Sequence, residues 1–142
     1  MMVIDASIWV SFLVHQDTNY ALTQPWLTKV ISSRIPIAAP ILLLSEVGGA
    51  IARRLNNSVL GNRAVNQLLS IPTLRLIKTD HSLGIKAGRL AANHHLRGAD
   101  ALYVAVASEL NVPLLSWDKE QLSRAKGVIN TYTPGNYPGI II

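Results

Sequence analysis

The chain predicts an α/β fold in three α/β/α layers, a parallel sheet covered by helices on both faces. Short apolar runs of β type alternate with longer segments of helical period along the whole sequence. Strands separated by helices are joined by right-handed crossovers, which leave the strands parallel and both sheet faces covered. Size agrees: 142 residues, 49% hydrophobic and 15% charged, suit one domain over 1–142 with a substantial core.

Taken in order, MVID reads as the first strand, followed by a helix to about residue 14 and a second over about 20–31. IPIAA reads as a second strand. Pro40 is expected in the first turn of the next helix, where a missing N–H is harmless, and that helix runs to about residue 55. After the Asn56-Asn57-Ser58 break another helix runs to about residue 69, although Gly61-Asn62 by itself reads as a turn. TLRLIKT is the third strand, and Asp80 at its exit is placed as a helix cap. A helix to about residue 94 follows. Gly98 then opens ADALYVAVASEL, apolar on nearly every face and therefore expected to be buried. VPLLS and GVINTY complete five strands. Repeats, linkers and low-complexity tracts are absent from the sequence.

Composition excludes several function classes. Without cysteine there is no disulfide, thiolate nucleophile or Cys-ligated zinc, which suits a reducing cytoplasm. The apolar start lacks a cationic region and is interrupted by Asp5, so it does not read as a signal peptide. IPIAAPILLL is too short to span a membrane. Neither a G-x-G-x-x-G pattern nor a P-loop occurs. A net charge of +5 favours a polyanionic partner.

Against that basic background, four of only 8 acidic residues sit in or beside the most apolar segments: Asp5 in VIDASIWV, Glu46 in LLLSEVGGA, Asp100 in RGADALYVAVA and Asp118 in PLLSWDKEQL. A carboxylate near apolar surface loses hydration, and several together repel one another. A hard divalent cation such as Mg²⁺ or Mn²⁺ resolves both problems, because oxygen donors are what it prefers. Asp5 ends the first strand and Asp118 follows the fourth, at the edge where parallel α/β sheets gather function. Simpler duties are open to three of them. Asp118 can cap a helix, with Gln121 completing a capping box; Asp5 can cap the helix opening at Ala6; Asp100 can serve a helix dipole. Glu46, in mid-helix on a face shared with Leu42, Gly49, Ala50 and Arg53, has no capping duty.

The apolar strand into D-A-S, the Glu in the helix after the second strand, the G-A-D-A-L-Y-V-A-V-A helix and L-L-S-W-D, in that order and spacing, resemble the PIN domain, particularly its VapC-type toxins. The resemblance spans nearly the whole chain. It implies a five-stranded parallel sheet between helices and a metal-dependent endoribonuclease whose acidic pocket binds Mg²⁺ or Mn²⁺. It assigns Asp5, Glu46 and Asp100 to the family's near-constant acids and Asp118 to the more variable fourth. Ser7 and Ser116 match supporting hydroxyl positions, Ser116 standing where Thr is more usual. It also implies an RNA substrate, a cognate antitoxin that inserts an apolar helix and a blocking basic side chain, and a homodimer, with the apolar helices and the tail YPGIII as candidate contact surface.

Arg53, Arg54, Arg97 and Lys119 lie nearest the acids in sequence and are the expected phosphate contacts, the alternative being solvated helix faces. Trp117 is assigned first to core packing and second to base stacking. Asp17 is read as a cap, and His94-His95 as helix-end residues, since adjacent helical positions diverge. Two rival functions are weighed. A haloacid-dehalogenase-type phosphatase would need a second acid two residues after Asp5, where Ser7 stands. A non-catalytic PIN-like scaffold for RNA or protein would be expected to have lost some of the acids.

Overall fold

The computed structural model describes residues 1–140, so Ile141 and Ile142 of the YPGIII tail lie outside the described residues. Five strands, β1 (Met2–Ile4), β2 (Ile37–Pro40), β3 (Leu74–Ile77), β4 (Leu114–Leu115) and β5 (Thr131–Tyr132), form one sheet in the order β3-β2-β1-β4-β5. Every pairing is parallel, as the alternation predicts. The chain builds outward from β1 to β3, then returns to the other side of β1 for β4 and β5. Strand order therefore reverses between β1 and β4, the position at whose carboxyl ends parallel α/β sheets gather their sites.

Seven helices flank the sheet: α1 (Ala6–Leu13), α2 (Tyr20–Ser32), α3 (Leu42–Leu55), α4 (Ser58–Leu69), α5 (His81–His94), α6 (Gly98–Leu110) and α7 (Lys119–Ala125). All of β1 and β2 is buried. Helix α6 packs on β1, β2 and β4, and Ala101, Tyr103, Val104, Ala105, Val106 and Ala107 are buried along it, as its apolar sequence requires. Trp9, Trp26, Ile8, Leu27 and Leu43 close the core around the sheet. Each large apolar side chain so buried contributes about 1.5–3 kcal/mol. Among the described residues no helix is long and apolar enough to cross a membrane.

Three local expectations are corrected. Pro40 does not start a helix; it ends β2 opposite Ile77, and α3 begins at Leu42. The backbone N–H groups of Ile37 and Ile41 bond to Thr73 and Ile77 on the β3 side, so the Pro40 nitrogen faces the β1 side. Pairing with β1 has already stopped there, at Val3 and Ala38, and no ladder bond is lost. Gly61-Asn62 is not a turn but part of α4. A Cβ at Gly61 would lie 2.8 Å from the Gly48 carbonyl oxygen, so this glycine lets α3 and α4 approach closely. GVINTY shortens to Thr131–Tyr132, because the Val128 and Ile129 N–H groups bond to the Ala125 carbonyl and close the end of α7.

Candidate active site

The carboxyl edge of the sheet between β1 and β4 is organised around the buried Asp5. Its backbone N–H extends the sheet by bonding to Leu115 O at 3.1 Å, and its side chain caps α1 by accepting from Ser7 N. The same Oδ1 accepts from Ser7 Oγ at 2.6 Å, and Oδ2 accepts from Ser116 Oγ at 2.7 Å. Both serines are anchored in turn: Ser7 Oγ accepts from Trp117 N and Ser116 Oγ from Asp118 N, each at 2.9 Å. Ser116 also lies 3.1 Å from Gln121 Oε1. Its single hydroxyl proton serves best the shorter, charged bond to Asp5. A carboxylate held by two hydroxyls and one amide in the core is fixed in orientation.

The other acids reach the crevice from three helices. Asp100 sits in the first turn of α6. Glu46, on α3, accepts from Tyr103 OH of α6 at 2.6 Å. Asp118 caps α7 by accepting from Glu120 N and Gln121 N at 3.0 and 3.2 Å. The capping duty foreseen for Asp118 is real, but Gln121 does not complete a box. Its buried side chain turns inward to Ser116 instead.

Electrostatics bind these pieces into one site. Burial raises the Asp5 pKa to about 7, with Ser7 and Ser116 pulling it down and the charge of Asp100 pushing it up. Asp100 is raised to about 6 by burial first and then by Asp118, against the opposing charge of Arg97, with Glu46 and Glu120 adding to the rise. The Tyr103 hydroxyl is pushed far up by burial, by its bond to Glu46 and by the charges of Glu46, Asp5 and Asp100. All four acids singled out in the sequence thus lie within one field.

Tyr103 and Glu120 were not singled out beforehand, and Gln121 only as a capping partner. Tyr103 follows Asp100 by three residues and so shares its helix face, a signal present in the sequence. Glu120 and Gln121 follow Asp118 on α7, and only the turn of that helix brings them in.

Beside the acids, a cleft of ≈ 540 Å³ is lined by Ser7, Glu46, Ala50, Arg53, Arg54 and Trp117 among others. Trp117 is partly buried and packs against the hydrophobic core, as first expected, while also lining the cleft. Arg54 is committed to Asp17 at 2.8 Å, and Arg53 lies against Gly49. Arg97 precedes α6, with its side chain 74% exposed and 4.0 Å from Glu120; Lys119 opens α7 and is exposed. His94 ends α5 and His95 caps it, the helix-end positions expected, and Asp80 caps the start of the same helix.

The sequence pattern of the PIN domain matches residues 2–128, a span that holds every acid of the crevice. The chain belongs to the PIN domain family. It is 32% identical over 127 residues to ribonuclease VapC1 of Mycobacterium tuberculosis, covering 89% of this chain and 91% of that protein. Among solved structures, the Mycobacterium tuberculosis VapC20 toxin, described as cleaving the sarcin-ricin loop, superposes with a TM-score of 0.74 at 18% identity, over 91% of this chain and 97% of that one. A toxin–antitoxin complex from Klebsiella pneumoniae gives 0.61 at 14% identity, over 94% and 98% of the two chains. Likeness at these identities shows the fold; the curated relative and the family pattern carry the membership.

As a PIN domain the crevice can be tested for a cation on its own atoms. Its donors are all oxygen, and their mutual repulsion, visible in Asp5 and Asp100, is what a hard divalent ion relieves. Donor type and charge therefore fit. Chelation is not preformed: among the described residues no three His, Cys, Asp or Glu side chains stand in an arrangement that could hold a metal ion. Asp5 is turned to its serines and Asp118 to the N–H groups of α7, so closing a chelate requires these carboxylates to be drawn towards the ion.

Proposed function

We propose that this PIN domain is a metal-dependent endoribonuclease that hydrolyses RNA phosphodiester bonds, acting as the toxin of a toxin–antitoxin pair. What supports the reading is the coupling of Asp100 to Asp5, Glu46 and Asp118 near the strand-order reversal, with Asp5 and Asp100 held above the carboxylate range. The relationship to a protein named as a ribonuclease supports the choice of RNA.

Asp5 and Asp100 would hold Mg²⁺ or Mn²⁺ directly, Glu46 would bind it or orient a water, and Asp118 would assist through water. When bound, such an ion supplies hydroxide near neutral pH and stabilises charge on the phosphoryl oxygens. This chain's residues do the positioning. Ser7 and Ser116 hold Asp5, Tyr103 holds Glu46, and α7 presents Asp118. Arg53, Arg97 and Lys119 face the solvent side, where they can meet RNA phosphates.

A cognate antitoxin is part of the same reading. A groove of ≈ 440 Å³ between α1, α3 and α4, with Phe12, Leu13, Ile51 and Leu55 beside His15, Gln16, Arg63 and Gln67, suits an amphipathic helix. A homodimer and a cytoplasmic location belong to this proposal too.

The test is cleavage of structured and single-stranded RNAs by purified protein with Mg²⁺, Mn²⁺ or EDTA, beside Asp100→Asn. Metal-dependent cutting lost in the variant is the expected result. RNA bound but never cut, with no Mn²⁺ binding, would establish the scaffold reading instead. The phosphatase reading is weakened because Ser7, two residues after Asp5, is a hydroxyl bonded to Asp5 where a second acid would be needed.

A further inference from the structure

The cleft beside the acids is more specific than a generic basic groove. One wall is Trp117, whose indole N–H bonds to Thr23 Oγ1 at 2.8 Å. Thr23 is itself fixed by Ser11 at 2.8 Å, and both hydroxyls are buried. This chain of bonds holds the ring at one orientation while leaving it partly exposed and lining the cleft. The same ring packs against the core on its way to the cleft, so it is backed as well as tethered.

The cations on the cleft differ. Arg54 is neutralised by Asp17 at 2.8 Å, whereas Arg53, among the described residues, is in no ion pair and is exposed. The small side chains Ala6, Ser45 and Ala50 leave room between them, and Asn19 adds a polar group at the turn before α2. Glu46 and Ser7 line the same cleft and also belong to the acidic crevice, so the two are contiguous. The open cleft of ≈ 540 Å³ lies within the range of about 300–1,000 Å³ usual for small-ligand sites.

We propose that this cleft seats one unpaired nucleobase of the RNA, stacked on Trp117, with an adjoining phosphate on Arg53. The inference rests on the nuclease reading and adds to it the place where substrate is recognised. Stacking on a fixed aromatic face with a guanidinium on the neighbouring phosphate is how single strands are held without a duplex. A base drawn into the cleft brings its backbone to the edge shared with Glu46, next to the acids. Double-stranded RNA, whose bases are already stacked and paired, would be excluded at this position.

The chain carries its own probe. Trp9 and Trp26 are 1% and 0% exposed, so a change in tryptophan emission on adding RNA reports Trp117. Wild type, Trp117→Leu, Trp117→Phe and Arg53→Ala would be titrated in EDTA with short single-stranded oligoribonucleotides, and the same proteins assayed for cleavage with Mg²⁺. Expected are quenching in the wild type, binding weakened about tenfold in Trp117→Leu, retention of most affinity in Trp117→Phe, and a salt slope reduced by about one in Arg53→Ala. Unchanged affinity and KM in Trp117→Leu, with cleavage intact, would overturn the subsite and leave the nuclease reading standing. A wild type that neither binds nor cuts RNA would overturn both. If Trp117→Leu does not fold, the wild-type titration and the exposed Arg53→Ala decide: RNA bound without quenching, or an unaltered salt slope, rejects the site.

Discussion

Asp5 shows how one residue serves fold and site at once. It caps α1, bonds into the sheet and stays 5% exposed, and burial lifts its pKa to about 7. A folded-state pKa above the unfolded value stabilises the fold at low pH, and that contribution is lost as pH rises from about 4 through about 7. The melting temperature in EDTA is therefore expected to fall over this window. In Asp5→Asn the fall should be shallower, and an equal slope in both proteins would show that Asp5 is not the source. Tyr103 can be tested on its own. Tyr103→Phe removes the 2.6 Å bond that orients Glu46 without changing the ring packing, so RNA cleavage should drop about 10–100-fold, as supporting partners of metal ligands typically require. The thermal midpoint should drop only slightly; full activity would remove Tyr103 from the site. Asp5, Glu46 and Asp100 were legible in the sequence because an acid in an apolar run needs a reason. Tyr103 was hidden by its aromaticity, which in a buried helix reads as packing.

Among elements, the α3–α4 pair depends on two glycines. A Cβ on Gly61 would meet Gly48 O at 2.8 Å and Ala52 Cβ at 2.9 Å, and backbone cannot yield as a side-chain tip can. Gly61→Ala should therefore destabilise by about 1–3 kcal/mol, the usual cost of overpacking. On α5 the opposite holds: nothing lies within 4 Å of a Cβ at Gly84 or Gly88, and neither has a positive φ. Gly88→Ala should stabilise by about 0.4–1 kcal/mol by restricting the unfolded chain. Chemical denaturation of both variants checks the pair, and the same sign of change in each would contradict it. The sequence offered Gly61-Asn62 as a turn because local composition has no view of a neighbouring helix. Pro40 misled for a related reason: its tolerance in β2 depends on which side of the strand its nitrogen faces, which the register with β1 and β3 decides.

For the whole molecule, charge is the property that sequence states most directly. A +5 net charge surrounds a crevice of like-charged acids, so a divalent ion and a polyanion should each act on the protein in a salt-dependent way. Mn²⁺ or Mg²⁺ is expected to raise the melting temperature with concentration, more at pH 8 than at pH 5, because Asp5 and Asp100 must be ionised to bind it. No shift at millimolar Mn²⁺ would count against the cation site. The sequence by itself determined the α/β class, the parallel sheet and the four acids, since periodicity and burial cost are local and survive in one dimension. Tertiary structure alone decided that the order β3-β2-β1-β4-β5 sets Asp5 beside Ser116, that Tyr103 meets Glu46 and that Trp117 turns its ring to a cleft while Thr23 holds its N–H. Those contacts join residues from 57 to 111 positions apart in three of the cases, and only the packing of helices on a closed sheet order brings such distant groups within bonding range.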